Sequence, residues 1–254
     1  MSYTLITGAS SGIGYELSLQ FAQKGHHLIL VARQEDRLAQ VALDIERKYK
    51  IDVHTISMDL SQPDAADKIF RWIQEKSLSI DYLVNNAGFY VKGSFSETLW
   101  EDEKKLIQLQ CFNHIQLTKL LLPAMIKRGK GGILNVGSTG SFVPGPYNAV
   151  YCAAKSFVLS FSDALAQEVS GSGVTVTALC PGGTKTAFQD FENRRRSVFT
   201  PVMDAERVSA IGYKALMKGK RVVVPGIVNK MQVFMVRFIP RRLAARLSGF
   251  VSVK

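Results

Sequence analysis

The residues TLITGASSGIG, at positions 4–14, are the most informative stretch of the chain. They begin as a short, β-branched apolar run, which is typical of a buried strand, and continue into a turn with three glycines. Residues without a Cβ atom allow a tight turn whose amides face outward, and the following helix presents its positive N-terminal end. The stretch therefore predicts a phosphate-binding βα unit, although its glycine spacing differs from the common G-x-G-x-x-G fingerprint.

The same alternation of short apolar runs and helical segments continues along the chain. Strands are predicted at 4–8, 27–32, 53–58, 81–86, 132–137, 174–180 and 221–226. Helices are predicted at 12–24, 36–49, 63–77, 101–128, 151–171 and 204–218. The early strands are apolar on both faces, as parallel strands covered by helices must be. The pattern predicts an α/β fold with a doubly wound, Rossmann-type parallel sheet of about seven strands.

Composition and charge divide the chain into two parts. It has 254 residues, is 46% hydrophobic and contains no linker or repeat, so residues 1–226 are predicted to form one domain. The net charge of +11 arises at the end of the chain, because residues 207–254 contain 11 basic and no acidic side chains. No recognition motif accompanies this charge, so nucleic-acid binding is not predicted. Residues 227–254 are predicted to form a basic, amphipathic C-terminal extension.

An apolar stripe with helical spacing runs through this extension, and Pro240 interrupts it. Its members are Ile227, Met231, Phe234, Met235 and Phe238. Three interpretations remain open. The stripe packs over the substrate pocket or a partner subunit, lies on an anionic membrane surface, or belongs to a surface that attracts an acidic partner such as an acyl carrier protein or coenzyme A.

The N-terminus and the cysteines indicate a cytoplasmic protein. The first residues, MSYTLITGAS, lack the basic and apolar regions of a signal peptide, and no uncharged apolar run approaches the roughly 18 residues of a membrane span. Cys111, Cys152 and Cys180 lie in apolar surroundings, as buried thiols do in a reducing compartment. Their spacing predicts no metal site. We expect a cytoplasmic location, with peripheral attachment to the inner face of a membrane as the alternative.

A second informative stretch is AVYCAAKSFVLSF, at positions 149–161. In a helix, Tyr151 and Lys155 lie on the same face, and Lys155 is the only charged residue between Lys130 and Asp163. The stretch alone fits either a helix edge with a snorkelling lysine or a tyrosine–lysine pair in a reaction centre.

Together, these motifs resemble the short-chain dehydrogenase/reductase family in its one-domain form. The resemblance runs from Thr7 to about Thr186 and rests on T-G-x-x-x-G-I-G at 7–14, Asp-Leu at 59–60, N-N-A-G at 85–88, Ser138, Y-x-x-x-K at 151–155 and P-G-x-x-x-T at 181–186. It implies an oxidoreductase that transfers hydride between a nicotinamide cofactor and a carbonyl or CH–OH group. The alternative is a non-catalytic NADP(H)-binding redox sensor, which would not need an acid.

The resemblance also implies the catalytic roles. Tyr151 is expected to protonate the substrate carbonyl, and Ser138 to hydrogen-bond its oxygen. Lys155 is expected to hold the nicotinamide ribose. Together with the positive nicotinamide of the oxidised complex, it is expected to lower the pKa of the phenol by about 3 units from about 10, which requires roughly 4 kcal/mol.

A fourth catalytic position departs from the family pattern. The family commonly has an asparagine thirteen residues before a Leu-Pro, where this chain has Gln110. The family asparagine is associated with a water that relays protons to the lysine. We favour Gln110 for this role. Asn113, three residues on, and an ordinary polar helix residue are the alternatives.

The cofactor-binding residues follow from the same motifs. They are expected to be Gly8, Ser10, Ser11, Gly12, Ile13, Gly14, Arg33, Asp59, Leu60, Asn86, Ala87, Gly88, Tyr151, Lys155, Pro181, Gly182, Thr184 and Thr186. By resemblance, Asp59 accepts from the adenine amino group, Asn86 and Gly88 lie along the adenosine ribose, and Thr186 anchors the carboxamide. The family usually has valine where this chain has Thr184.

The residue that ends the second predicted strand bears on the choice of nicotinamide. A carboxylate there would accept hydrogen bonds from the ribose 2′-OH and repel a 2′-phosphate, but this chain has Ala32 followed by Arg33. An arginine can pair with a phosphate through two hydrogen bonds. We therefore expect NADP(H) to be preferred over NAD(H), with a solvated surface arginine as the alternative.

Substrate specificity is expected in the loops at 89–100, 139–148 and 187–203. These loops are apolar and aromatic, through Phe89, Tyr90, Phe95, Phe142, Val143, Tyr147, Phe188, Phe191 and Phe199. They suit a lipophilic carbonyl compound, such as a 3-oxoacyl, steroid-like or aromatic ketone, although several of these residues could simply pack the loops. Residues 188–199 are long and polar enough to form a mobile lid. By resemblance, a homodimer or homotetramer is expected.

Overall fold

A seven-stranded parallel sheet forms the centre of the molecule in the computed structural model, which describes residues 1–186 and 202–253. The strands are β1 (Ser2–Thr7), β2 (His27–Ala32), β3 (Val53–Ser57), β4 (Ser79–Asn85), β5 (Gly131–Val136), β6 (Val174–Leu179), β7 (Thr184–Lys185), β8 (Met203–Asp204) and β9 (Val222–Val223). The main sheet has the order β3-β2-β1-β4-β5-β6-β9, and β7 pairs with β8 separately. The predicted fold class is confirmed.

Helices connect these strands. They are α1 (Gly12–Ala22), α2 (Glu35–Tyr49), α3 (Ala65–Glu75), α4 (Trp100–Ile107), α5 (Asn113–Arg128), α6 (Ala149–Glu168), α7 (Ala205–Met217), α8 (Ile227–Val236) and α9 (Arg241–Val253). Successive strand residues point to opposite faces of the sheet, so Leu5 packs with α3, α5 and α6, whereas Ile6 packs with α1, α2 and α7. Two buried clusters result, one on each face.

The chain reverses its winding direction between β1 and β4. It runs outward from β1 through β2 to β3, returns to β4 on the other side of β1, and continues outward to β9. In open α/β sheets, ligands bind at such a switch point, outside the carboxyl ends of the strands. Gly8 directly follows β1 and Asn86 directly follows β4, so two of the predicted motifs lie at this position.

Two predicted elements differ from the structure. The last strand pairs only through Val222 and Val223, and the chain leaves the sheet before Pro225. The helix predicted over 101–128 is not continuous, because a π-helical turn over Gln108–Phe112 separates α4 from α5. A π turn holds more residues than an α turn and therefore rotates the side chains that follow it; such turns occur often at functional sites. This turn contains Gln110.

One helix of the described chain, α6, is long and apolar enough to cross a membrane by length and composition. It contacts β5, β6 and a 3₁₀ turn over Thr139–Phe142. It also contains Tyr151 and Lys155, so its position is that of a helix covering the sheet.

The C-terminal extension is helical, as predicted, and Pro240 separates its two helices, α8 and α9. The apolar stripe does not pack over a pocket within the described chain, because all five of its side chains are exposed. The buried residues of α8 are Asn229 and Val233 instead. Helical spacing alone does not reveal which face of a helix is covered.

Candidate active site

Ser138 and Tyr151 meet at the carboxyl end of β5. Ser138 lies two residues beyond the strand, and Tyr151 lies in the first turn of α6. Their side chains are close enough for the Ser138 hydroxyl to lower the pKa of the Tyr151 phenol by hydrogen bonding. Two of the predicted catalytic side chains, thirteen positions apart in sequence, are thus brought into contact.

A buried serine that the sequence did not single out, Ser141, holds this arrangement. The Ser138 hydroxyl caps the 3₁₀ turn by accepting from the Gly140 N–H at 3.0 Å. The Ser141 hydroxyl accepts from the Ser138 N–H at 3.2 Å and donates to the Lys155 carbonyl oxygen at 2.8 Å. One hydroxyl therefore ties the loop after β5 to α6 and fixes the position of Ser138.

Lys155 is buried beside Tyr151. Its Nζ donates to the carbonyl oxygen of Val136 at 2.9 Å and lies 5.8 Å from the centre of the Tyr151 ring. Burial lowers the pKa of Lys155 to about 8, because a buried ammonium loses its hydration. The side chain is still mainly protonated at pH 7, but it is poised to release a proton.

The pKa of Tyr151 is raised to about 12, not lowered. Burial of the phenol is the largest cause, and the hydrogen bond from Ser138 opposes it only in part. The expected lowering included the positive charge of the oxidised nicotinamide and stays a prediction for the cofactor complex; in the protein alone, desolvation of the phenol dominates. The phenol stays protonated at neutral pH, which is the form that can donate a proton to a carbonyl.

Gln110 lies buried in the π turn, close to Lys155. Its Nε2 donates to the carbonyl oxygen of Phe89 at 2.6 Å, whereas its Oε1 has no hydrogen-bond partner in the described chain. A Cβ atom added to Gly88 would lie 3.1 Å from that Oε1 and 3.6 Å from Lys155 Nζ. The unpartnered Oε1 of Gln110 and the ammonium of Lys155 thus both lie next to Gly88.

Asn113, the alternative to Gln110, is used elsewhere. Its Nδ2 donates to the carbonyl oxygens of Leu60 and Gln62 at 2.6 and 2.8 Å, and its Oδ1 accepts from the N–H of Ala66 at 3.3 Å. The side chain therefore fixes the connection between β3 and α3, and its amide is not available to Lys155.

The glycine turn after β1 cannot accommodate larger residues. Gly8 and Gly12 have φ angles of +66° and +56°, in the left-handed region that favours glycine. A Cβ at Gly14 would lie 2.2 Å from the Gly8 carbonyl oxygen, and a Cβ at Gly12 would lie 2.8 Å from Thr186 Cγ2. The turn after β6 thus packs directly on the turn after β1, as a shared nucleotide site requires.

The N-N-A-G motif fastens the turn from the other side. Asn86 Nδ2 donates to the carbonyl oxygens of Thr7 and Gly8 at 2.9 and 3.3 Å. The N–H groups of Asn86 and Ala87 donate to Thr7 Oγ1 at 2.9 and 3.0 Å. The Asn86 amide group, expected along a ribose, is therefore occupied with shaping the glycine turn.

These turns fit a dinucleotide. The N-terminus of α1 faces the crevice, and Ser11 at its N-cap makes no side-chain capping bond, so the orphan amides of the first turn suit a pyrophosphate. Ser10 and Ile13 are partly buried in the same turn. Because the glycines of this turn have no Cβ atom, phosphate oxygens have room to contact its backbone.

At the predicted adenosine end, Arg33 is exposed after β2 and Asp59 is half-buried after β3. Burial alone would raise the pKa of Asp59, but hydrogen bonds from the N–H and hydroxyl of Ser61, at 2.9 and 2.8 Å, and the charge of Arg33 hold it below its usual value. Asp59 is thus a carboxylate at neutral pH. Leu60 is buried in the core, so only its backbone is at hand for a ligand.

The turn after β6 contacts α8. Pro181 accepts from the Thr139 N–H at 2.8 Å, and Thr184 is buried with its hydroxyl donating to the Gly182 carbonyl oxygen at 3.1 Å. A Cβ at Gly182 would lie 2.7 Å from both polar atoms of the Asn229 side chain. Asn229, which sequence reasoning missed, therefore occupies the space that Gly182 leaves.

The predicted pocket residues separate into three groups. The Tyr90 ring lies 6.1 Å from that of Tyr151, and Phe142 and Val143 line a neighbouring cavity of about 850 Å³. Phe95 and Tyr147 are exposed. The predicted lid over 188–199, with Phe188, Phe191 and Phe199, lies outside the described residues. Ser138, Tyr151 and Lys155 do not line that cavity, so it adjoins the reaction centre without containing it.

Comparison with known proteins matches this chain to a family and to individual members. The family model described as short chain dehydrogenase matches residues 2–197. A very-long-chain 3-oxoacyl-CoA reductase of Laccaria bicolor is 38% identical over 180 residues, which are 70% of this chain and 53% of that protein. The protein of the same name from Bos taurus is 34% identical over 187 residues, 70% and 58% of the two chains. The chain thus covers little more than half the length of these relatives.

Two solved structures extend the likeness to nearly the whole chain. A short-chain dehydrogenase from Sphingobium yanoikuyae in complex with NADPH has a TM-score of 0.82 at 29% identity and covers 94% of this chain and 96% of that one. A structure from work on 7beta-hydroxysteroid dehydrogenase stereoselectivity has a TM-score of 0.90 at 24% identity, covering 97% and 96%. The second likeness shows the fold alone.

Proposed function

The chain belongs to the short-chain dehydrogenase family, and we propose that it is an NADPH-dependent reductase of lipophilic ketones, with 3-oxoacyl thioesters as the first substrate class to test. The observation that carries this proposal is the partly buried Ser138–Tyr151 pair, in which the phenol is kept protonated beside Lys155. A protein that only sensed NADP(H) would have no use for such an acid. The names of relatives that are 34–38% identical support the substrate class.

In this proposal, bound NADPH supplies the hydride. Tyr151 donates its phenolic proton to the carbonyl oxygen as negative charge develops there. The Ser138 hydroxyl, held in place by Ser141, donates a hydrogen bond to the same oxygen and lowers the cost of that charge. Both groups are pre-positioned, so little reorganisation is needed on reaction.

Lys155 then restores the proton of Tyr151. A pKa of about 8 allows it to release a proton near neutral pH and to recover one from solvent. In the protein alone, the ammonium nitrogen donates to the carbonyl oxygen of Val136 at 2.9 Å. We assign the Oε1 of Gln110 to holding a bridging water between Lys155 and solvent, because it is a buried acceptor that faces the same point as Nζ.

The preference for NADPH rests on Arg33. The guanidinium is exposed directly after β2, where NAD-specific enzymes of this fold have a carboxylate, and Ala32 leaves the position without one. A two-pronged bond to the 2′-phosphate is the contact that would favour NADPH.

The Arg33→Glu variant tests this assignment. It should lower the ratio of kcat/KM with NADPH to that with NADH by about ten- to a hundredfold, since hydrogen bonds to charged groups contribute about 1.5–3 kcal/mol. Arg37→Glu, which makes the same charge change one turn further along α2, is the control and should change the ratio little. Equal effects of the two variants would contradict a specific role for Arg33.

The function is tested by a turnover screen with NADPH and NADH. Substrates are 3-oxoacyl-CoA thioesters of increasing chain length, steroid ketones and small aldehydes, and the product is identified as the alcohol. We expect turnover with NADPH that increases with the apolar size of the ketone. Tight NADPH binding without turnover of any substrate in the screen would favour the sensor instead.

A further inference from the structure

Helix α8 turns its large apolar side chains away from the protein. Ile227 and Met231 are 72% and 62% exposed, Phe234 and Met235 are more than half exposed, and Phe238, in the turn directly after the helix, is 70% exposed. Leu243 and Leu247 add a shorter exposed apolar strip on α9. Folded proteins rarely expose large apolar side chains in such a continuous group unless something else covers them.

The buried side of α8 is more polar than its exposed side. Asn229 is buried there, with its Nδ2 donating to the Pro225 carbonyl oxygen at 2.8 Å, and it packs against Gly182. Val233 is the other buried residue of this helix. The usual amphipathic pattern, with apolar residues inward, is thus reversed. The exposed stripe is not needed to attach the helix to the protein.

Cations surround this apolar surface. They are Lys230, Arg237, Arg241, Arg242 and Arg246, and all are exposed. None of them forms an ion pair within residues 1–186 and 202–253. Residues 207–254 contain no aspartate or glutamate at all. A partner that covers this surface must therefore present apolar groups to the exposed stripe and negative charges to the surrounding cations.

We propose that α8 and α9 form a docking surface for an anionic lipid bilayer. The helices lie in the plane of the interface, with the exposed apolar side chains among the acyl chains and the cations against lipid phosphates. A second copy of the chain is a poor occupant, because a two-fold interface would bring two identical, wholly cationic surfaces together. An acidic protein would meet the charge but has less use for a stripe of flexible Met, Phe and Ile side chains.

The proposal does not depend on the reductase activity. If that activity is present, docking also has a consequence for substrate access, which rests on the proposed function. Val236 of α8, Ile239 of the connecting turn and Ala244 of α9 form one wall of the cavity of about 850 Å³ beside the reaction centre. A lipophilic ketone dissolved in the bilayer would then meet the protein at the face that carries this cavity.

Co-sedimentation of the full-length protein with vesicles tests the docking surface. The two preparations are phosphatidylcholine alone and equal parts of phosphatidylcholine and phosphatidylglycerol. We expect binding to the anionic vesicles that weakens with salt, and little binding to the neutral ones. The double variant Met231→Glu, Phe234→Glu should reduce partitioning by about tenfold or more, and so should Arg242→Gln with Arg246→Gln.

The matched control is Leu43→Glu with Ile126→Glu, which replaces two exposed apolar residues on α2 and α5. It should bind vesicles like the unaltered protein. Thermal unfolding of each variant verifies that it is folded, and reduction of a water-soluble ketone without vesicles reports on the reaction separately. Failure of the unaltered protein to bind anionic vesicles, or equal loss in the control, would overturn the proposal. The proposal would also be overturned if the unaltered protein were a dimer that did not bind vesicles and the Met231→Glu, Phe234→Glu variant were a monomer. The surface would then be a subunit interface.

Discussion

The reaction centre and the C-terminal helices place polar and apolar side chains in opposite ways. At the reaction centre, Lys155 and Gln110 are buried, although such groups are costly to remove from water. In α8, the side chains that water disfavours, such as Ile227 and Met231, are exposed. Local rules of burial are broken in both regions, and proteins usually retain such departures where they bind or react. The buried polar groups suit chemistry within the chain, whereas the exposed apolar groups call for a partner outside it.

The largest expected effect concerns the acid, Tyr151. Tyr151→Phe removes the phenolic proton and leaves the ring in place, so kcat should fall by about a thousandfold. NADPH affinity, measured by fluorescence titration, should change little. Tyr49→Phe, at the end of α2, removes a hydroxyl far from the site and is the control. If Tyr151→Phe consumed NADPH as fast as the unaltered protein with the same ketone, the phenol would have no catalytic role.

A smaller effect is expected from the hydroxyl that positions Ser138. Ser141→Ala leaves the Ser138 N–H and the Lys155 carbonyl oxygen without this partner, which should lower the free energy of unfolding by about 1–3 kcal/mol. Displacement of Ser138 should lower kcat by about ten- to a hundredfold. Because the hydrogen bond from Ser138 lowers the pKa of Tyr151, displacement of Ser138 should also move the pH at half-maximal kcat upward. A loss of stability with unchanged kcat would show that Ser141 is structural only.

Much of the fold could be predicted from the sequence because it depends on local patterns. Apolar runs such as HLILVA at 27–32 predict a buried parallel strand, and the structure has a strand at these residues. The glycine turn predicts the edge of the sheet at which a ligand binds. The comparisons confirm the family that these motifs suggested.

The remaining features depend on contacts between distant segments. Ser141 and Asn229 matter through Lys155 and Gly182, and no spacing within either segment indicates those contacts. Desolvation raises the pKa of Tyr151 in the protein alone, and helical spacing, which places Lys155 near the phenol, does not reveal that desolvation. The apolar stripe of α8 was visible, but its periodicity is the same whether the stripe faces inward or outward.

Acid stability provides a test of the buried polar groups that does not involve catalysis. His114 is buried on α5, and burial, together with the charge of Lys155, lowers its pKa to about 3. In the unfolded chain its pKa is about 6.5. As the pH falls below about 6.5, the unfolded chain takes up a proton that the folded protein does not. The free energy of unfolding should therefore fall, by about 2 kcal/mol at pH 5.

The His114→Gln variant isolates this contribution. Urea unfolding at pH 7 and pH 5 should show a smaller loss of stability in the variant than in the unaltered protein, by about the same 2 kcal/mol. Carboxylates titrate in both proteins, so their effects cancel in the difference. An identical acid response in the two proteins would mean that His114 is solvated or protonated in the folded state.

The smallest expected effect distinguishes the C-terminal surface from the core. Phe238→Ser removes a large ring that is 70% exposed, so the free energy of unfolding measured without lipid should change by less than about 0.5 kcal/mol. Val233→Ser on the covered side of α8, where the residue is 9% exposed, should cost about 1–3 kcal/mol through lost burial. A cost at Phe238 as large as that at Val233 would mean that the ring is covered in the folded protein, and the stripe would then belong to the core or to a subunit interface. A negligible cost at Phe238 would mean that the exposed apolar surface does not stabilise the folded protein. Burial of that surface would then stabilise only a complex with a partner such as the bilayer.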